Sequence, residues 1–355
     1  MRAEEEATVF KLRAAPAPDD PAKVRWPWQL SASSWRYLLR RGWSEFWYRQ
    51  VLDHAGNLAY MSMQSLFPAL LAVITVLTMI GQGPAAVQWI IELLEATAPP
   101  PIVSLMREPL NNLVHLQDLG IVLGIAVAVS LWGASGYISA FGRSSNALYQ
   151  VVEGRPFWKV IPYYLLLTVS LVAFGVLLML SVLLSAGLWD TLLALVEVDD
   201  ALLQDLRQAR WPVLVVVALV LILVLYRATP NVRPPKLRWT MPGALLAMVL
   251  LVLAVWGLSL WVQVFGRLPA AYGVVGSVII MLLSLWVMNI ILLIGVLLNA
   301  EVERARLLQA GFAAEIELLV RPRSTQMIHA RAAEEGMLAR WGAAIRAEHA
   351  FDDDW

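Results

Sequence analysis

Polar side chains set at helical spacing inside apolar runs are the positions in this 355-residue sequence that could do chemistry. Arg143 follows Gly133, Gly136 and Ala140 on one helical stripe, and Asn146 and Gln150 extend it. A guanidinium grips phosphate or carboxylate through forked hydrogen bonds. Turned into a helix bundle, Arg143 would therefore anchor an anion or a lipid headgroup. The alternative is an arginine that snorkels to the membrane surface or pairs with an acid such as Glu153. Asn57, Tyr60 and Gln64 share one helical face, and Pro68 follows, where it should free a carbonyl and kink the helix. A polar face beside a kink suits the wall of a cavity, and it equally suits hydrogen bonds between helices. The run Glu153-Gly154-Arg155-Pro156-Phe157-Trp158-Lys159 reads as a turn or a site. Gly154 permits an unusual backbone path, Pro156 suits the start of a helix, and Glu153 has Arg155 or Arg227 as a partner. Asn289, midway along an apolar run, is expected to bond to another helix.

The elements that must position these residues are apolar and long. A membrane-crossing helix takes about 20 mostly apolar residues. Such runs fall at 54–80, 119–142, 159–187, 211–227, 241–265 and 274–300. With 59% hydrophobic and 15% charged residues and a mean hydropathy of +0.65, the chain has more apolar surface than a soluble fold of this size can hide. The fold class is an all-α polytopic membrane protein, a six-transmembrane helical bundle with interfacial helices. Arg36, Arg40, Arg41, Arg49, Arg155, Lys159, Arg227, Arg233, Lys236, Arg238, Arg304 and Arg306 flank one end of the runs. The opposite loops are acidic. The positive-inside rule then puts both termini in the cytosol. Residues 1–34 are expected to be a disordered cytosolic tail, 35–305 the membrane domain, and 306–355 a charged, helical cytosolic tail. Residues 82–118 and 188–210 are expected to hold amphipathic helices on the outer surface. Trp28, Trp35, Trp43 and Trp47 suit an aromatic belt on the inner one.

Much chemistry is excluded. With no cysteine, thiolate catalysis, disulfides and Cys-ligated metals are out. The four histidines form no metal-ligand pair, and no phosphate-binding loop or G-x-S-x-G elbow occurs. The acidic group Glu197, Asp199, Asp200 and Asp205 reads as a solvated loop rather than a Mg²⁺ or Ca²⁺ site. A net charge of zero gives no field for nucleic acid. The expectation is a non-enzyme with no cofactor and no metal.

Several short motifs, in order and each at a fixed place relative to a run, give the chain a resemblance. They are Ala55-Gly56-Asn57-Leu58-Ala59-Tyr60 with Ser65-Leu66-Phe67-Pro68; Asn146-Ala147-Leu148-Tyr149 with the Glu153–Lys159 turn; Leu225-Tyr226-Arg227 with Pro230-Asn231, Trp239 and Pro242-Gly243-Ala244; Tyr272-Gly273; and Leu298-Asn299-Ala300-Glu301. In these the chain resembles the YihY/BrkB family of bacterial inner-membrane proteins over about residues 40–305. Where that family often has Gly-Ala-Glu late in the last run, this chain reads Gly295-Val296-Leu297, so a role for that carboxylate passes only to Glu301 if at all. The resemblance implies an inner-membrane protein of the cell envelope, for which lipid or amphiphile transport has been suggested. An older label, transfer-RNA-processing ribonuclease, is regarded as a misassignment. The resulting expectation is a protein that moves or binds a lipid or amphiphilic anion. Arg143, Asn146, Tyr149, Glu153, Arg155, Asn57, Tyr60 and Gln64 are its candidate binding residues. Membrane lipids and an envelope protein are the candidate partners, and nucleic acid is not one. An envelope scaffold is the second reading and a membrane-associated ribonuclease the third.

Overall fold

The structure, a computed structural model, describes the backbone of residues 14–79, 119–183, 200–265 and 268–349 and single positions between 87 and 111. Side chains of 66–79, 173–183, 200–211, 261–277 and a few isolated positions lie outside the description, so Pro68, Tyr272 and Gly273 are placed by backbone alone. The expected outer helices of 82–118 fall almost wholly outside it.

The regular elements among the described residues are all helices, with one isolated β-bridge between Val232 and Pro322. A helix α1 (Ala32–Tyr48) precedes six long ones: α2 (Val51–Met79), α3 (Leu119–Leu148), α4 (Phe157–Leu183), α5 (Asp200–Ala228), α6 (Met241–Phe265) and α7 (Leu268–Gln309). A last helix, α8 (Gln326–His349), follows an irregular return. Each long helix covers one of the apolar runs. By length and composition, Gly124–Leu148, Met241–Leu258 and Val278–Gln309 are long and apolar enough to cross a membrane, and Phe157–Val172 and Val215–Ala228 are shorter apolar stretches. α2 stays helical through Pro68, and α5 continues the acidic stretch from Asp200 as one helix through Pro212.

α2 and α3 form the most extensive helix pair, followed by α6 with α7 and α7 with α2. Small residues make these approaches possible. A Cβ on Gly133 would stand 3.2 Å from Ser65 Cα, and one on Gly136 would stand 3.8 Å from Met61 Sδ, so the small-residue stripe of α3 does seat α2. The α6–α7 crossing is tighter. A Cβ on Gly243 would lie 2.1 Å from the Gly295 carbonyl, and one on Gly295 would lie 2.2 Å from Tyr226 Oη. Asn299 Oδ1 accepts from Gly243 N at 2.9 Å at the same crossing.

The starts of α2, α4 and α6 and the ends of α3, α5 and α7 meet at one end of the bundle, here the basal end. There the structure departs from the sequence reading of both tails. From Ala14 the N-terminal segment is packed, with Ala15, Lys23 and Leu30 buried. Lys23 Nζ meets Glu303 at 2.8 Å, Arg306 donates to the Pro18 and Val24 carbonyls, and Arg321 donates to the Ala15 carbonyl. α7 runs nine residues beyond the apolar run, and its charged end is covered: Glu301, Glu303, Arg304 and Arg306 are all buried. A proline-rich segment shows no periodicity in sequence, so one held by its carbonyls and one buried lysine reads as a tail.

Gly243→Ala tests the tight crossing. Overpacking of a filled interior usually costs about 1–3 kcal/mol. The variant is expected to lose thermal stability in detergent by that order, whereas Gly257→Ala, which meets nothing within 4 Å, stays near the parent.

Candidate functional site

Two polar groupings and one cavity emerge from this scaffold. The first grouping lies at the basal end, where the α3–α4 turn meets the α5–α6 loop and the return before α8. α3 closes with Gln150 in the left-handed region (φ 55°), so that Val151 N reaches back to the Asn146 carbonyl at 2.9 Å. The turned chain brings Glu153 under Asn146, whose Nδ2 donates to Glu153 Oε2 at 3.0 Å. Arg155 forks onto the same carboxylate, with Nε to Oε1 and Nη2 to Oε2 both at 2.7 Å. Arg155 Nη2 also donates to Tyr164 Oη at 2.9 Å and to the Thr229 carbonyl at 3.0 Å. Burial disfavours its charge, but the bonds from Glu153 and the neighbouring Tyr164 and Tyr163 outweigh that and hold its pKa above the ordinary arginine value. Glu153 therefore takes Arg155 as partner; Arg227 turns to the Pro235 carbonyl and Thr240.

Asn231 ties this turn to the rest. Its N donates to Asn146 Oδ1 at 2.7 Å, and its Nδ2 donates to the Val152 and Ser324 carbonyls at 3.0 Å each. Its Oδ1 accepts from Ser324 N at 3.0 Å. Gly154 is needed for contact rather than for an unusual dihedral: a Cβ there would stand 1.9 Å from the Ser324 carbonyl. Pro156 precedes the first residue of α4, and Pro230 is buried in the loop beside Asn231. Pro242 opens α6. Tyr149 sits nearby; burial, with Glu303 adjacent, raises its hydroxyl above the ordinary tyrosine value despite Arg227. Asn146, Tyr149, Glu153 and Arg155 are thus drawn together with Asn231, in an arrangement whose polar atoms mostly satisfy one another. Asn299 Nδ2 and Trp239 Nε1 lack partners among the described residues, and both residues line a small pocket of about 20 Å³ beside Lys23 and Glu303.

The second grouping holds the other candidates, and it lies on the outside. Arg143 is exposed, with Nη1 bonded to Ser139 Oγ at 2.8 Å. It neither points into the bundle nor meets Glu153. Asn57, Tyr60 and Gln64 are likewise exposed, with Gln64 Nε2 donating to Tyr60 Oη at 2.8 Å. The physical reason is local: the glycines of α3 seat α2, and that contact uses Leu58 and Met61 and leaves the polar face of α2 turned outward.

The cavity is a broad hollow between the helices, open to the outside. It measures about 510 Å³ and takes lining residues from all six long helices. Its walls are apolar apart from Ser62, Ser65, Tyr137 and Thr168. One turn toward the basal end, Phe141 stacks on Tyr226 (centroids 6.2 Å, planes 7° apart) and Tyr164 is buried beside them. Tyr226 Oη is fixed to the Leu292 carbonyl at 2.6 Å, and Tyr137 Oη to Asn289 Oδ1 at 2.9 Å, so Asn289 does bond to another helix. Arg155 sits directly beneath this aromatic floor through Tyr164. No motif announced the cavity, because residues such as Ala134, Ala218 and Leu251 look like ordinary packing in a sequence.

Residues 43–316 match the profile described as virulence factor BrkB. The chain belongs to the BrkB family. A Bacillus subtilis protein named as ribonuclease-like, YfkH, is 27% identical over 271 residues, covering 76% of this chain and 94% of that one. A UPF0761 membrane protein of Idiomarina loihiensis is 27% identical over 264 residues, with 72% and 87% covered. A UPF0761 membrane protein of Xanthomonas campestris is 25% identical over 282 residues, with 78% and 62% covered. No solved structure matches. The BrkB match spans every long helix and the basal turn, and it includes Asn146, Glu153, Arg155 and Asn231. This is an integral membrane protein of that family.

Asn231→Asp is a near-isosteric probe of the basal turn. The aspartate loses the donor to the Val152 and Ser324 carbonyls and sets a second buried carboxylate near Glu153. Uncompensated buried charge typically costs about 3–5 kcal/mol. The variant is expected to insert poorly or to unfold far below the parent in a detergent melt, and Asn231→Gln to fall between.

Proposed function

We propose that this BrkB protein is a six-span inner-membrane protein that takes up a lipid or amphiphilic anion in its central cavity and moves it within or across the bilayer. The basal end, with both termini, faces the cytosol; the basic residues gathered there support that orientation. The observation that carries the reading is the cavity itself. Small-molecule sites usually occupy about 300–1,000 Å³ and are apolar with a few placed polar groups. A cavity of about 510 Å³ with three hydroxylic side chains besides Tyr137 suits an acyl chain or a similar apolar tail. The Phe141–Tyr226 stack is then a floor that holds the tail on the outer side, and Arg155 holds the floor through Tyr164. Arg143, Asn57, Tyr60 and Gln64 stand outside the cavity, so they do not line this path.

Transport of this kind is non-enzymatic and needs no cofactor. The described residues include no group of three His, Asp or Glu side chains placed to hold a metal ion. The name of the Bacillus relative makes metal-dependent RNA cleavage worth assaying with stringently purified protein. Sustained cleavage that a metal-free buffer abolishes would replace the transport reading.

Ala218→Phe and Ala134→Phe place a ring into the cavity from two different helices. Both variants are expected to insert and stay monodisperse, but to retain severalfold less lipid through detergent purification, as read by native mass spectrometry. Retention unchanged in both would exclude the cavity as the amphiphile site.

A further inference from the structure

We propose that the exposed polar seam between α2 and α3 joins two copies of this chain in the membrane. The pairs His54–Ser144, Met61–Gly136 and Ser65–Gly133 mark the line where these antiparallel helices touch. Helical geometry turns Asp53, Asn57, Tyr60 and Gln64 of α2, and Arg143 and Trp132 of α3, to the same side of that line. All six are exposed, Tyr60 by 56% and Trp132 by 77%. Among the described residues neither Asp53 nor Arg143 has an ion-pair partner, and Arg143 bonds to Ser139 instead.

Polar groups on the lipid face of a spanning helix are costly unless something covers them. A lipid headgroup would satisfy Arg143, which lies level with His54 near the basal end. It would not satisfy Gln64, eleven residues beyond Asp53 and so roughly 16 Å deeper at the helical rise, where only acyl chains reach. A second copy satisfies both. A two-fold axis along the membrane normal sets equal depths against each other. Each carboxamide, which both donates and accepts, then meets its own counterpart. Arg143 comes level with Asp53 of the partner subunit, a charge match that the symmetry makes twice. Trp132 adds apolar area toward the other end of the same seam. This assignment is independent of what the cavity holds.

The chain has no cysteine, so single-cysteine variants of the full-length protein report cleanly in native membranes. On mild oxidation, Asn57→Cys and Gln64→Cys are expected to form disulfide-linked dimers, while Val252→Cys, exposed on α6, is not. In either reporter, Arg143→Asp should reduce dimer roughly 3- to 30-fold, the range of single polar contacts between membrane helices. Adding Asp53→Arg to that variant should restore it. Equal cross-linking at all three cysteines, or none at the seam together with single-step photobleaching of labelled parent protein in liposomes, would overturn the proposal. So would a monomer in native mass spectrometry whose bound anionic lipid is lost in Arg143→Ala, because the seam would then hold lipid.

Discussion

The structure depends on keeping buried backbone groups bonded at the basal end, where six helices turn and little water reaches. Asn231 bonds three of these groups with one side chain. It accepts from Ser324, donates to Val152 and Ser324, and presents its own N–H to Asn146. Three separate connections are thereby held to one carboxamide at zero exposure. A carboxamide suits the position because it both donates and accepts without carrying charge. Asn146 continues the chain of bonds to Glu153, and Glu153 to Arg155. The ion pair therefore sits at the end of a network that orients it, which is the condition under which a partly buried pair is stable.

That network also reaches the cavity. Arg155 ends on Tyr164 and the Thr229 carbonyl, and Tyr164 shares that carbonyl at 3.0 Å. A Cβ on Gly142 would stand 2.2 Å from Tyr164 Oη, so α3 packs directly on the hydroxyl that Arg155 holds. The aromatic floor and the basal turn are mechanically one unit. Any change that frees Arg155 from Tyr164 acts on the floor without touching the cavity wall.

The sequence showed the helices well and the polar groupings unevenly. Apolar runs of about 20 residues are a strong signal, because lipid leaves the backbone few alternatives to helix. All six runs became long helices, differing mainly at their ends. The Asn289 bond was legible, since it needed only an unusual polar residue, whereas local spacing left Glu153 a choice between Arg155 and Arg227. The buried Lys23–Glu303 contact was not, because 280 residues separate the partners and both lie in charged stretches that look solvated. The direction of Arg143 was also illegible. Spacing placed it on the glycine stripe, but whether that stripe faces the bundle axis or its flank depends on where α2 docks.

The flank position changes what the polar face of α2 means. Leu58 and Ala59 bury the opposite side, and Tyr60 and Gln64 bond only to each other among the described residues. A helix that needed polar groups only for its own bundle would turn them inward, as α7 does with Asn289 and α4 with Thr168. α2 packs tightly against α3 and turns His54 and Ser62 inward, yet over its first 14 residues it also turns Asp53, Asn57, Tyr60 and Gln64 outward. Among the described residues, the hydrogen bonding of the Asp53, Asn57, Tyr60 and Gln64 side chains comes down to the one bond between Tyr60 and Gln64. Inside one chain the outward amides gain little, and a second copy of the chain, as proposed, would give that face the partners it lacks.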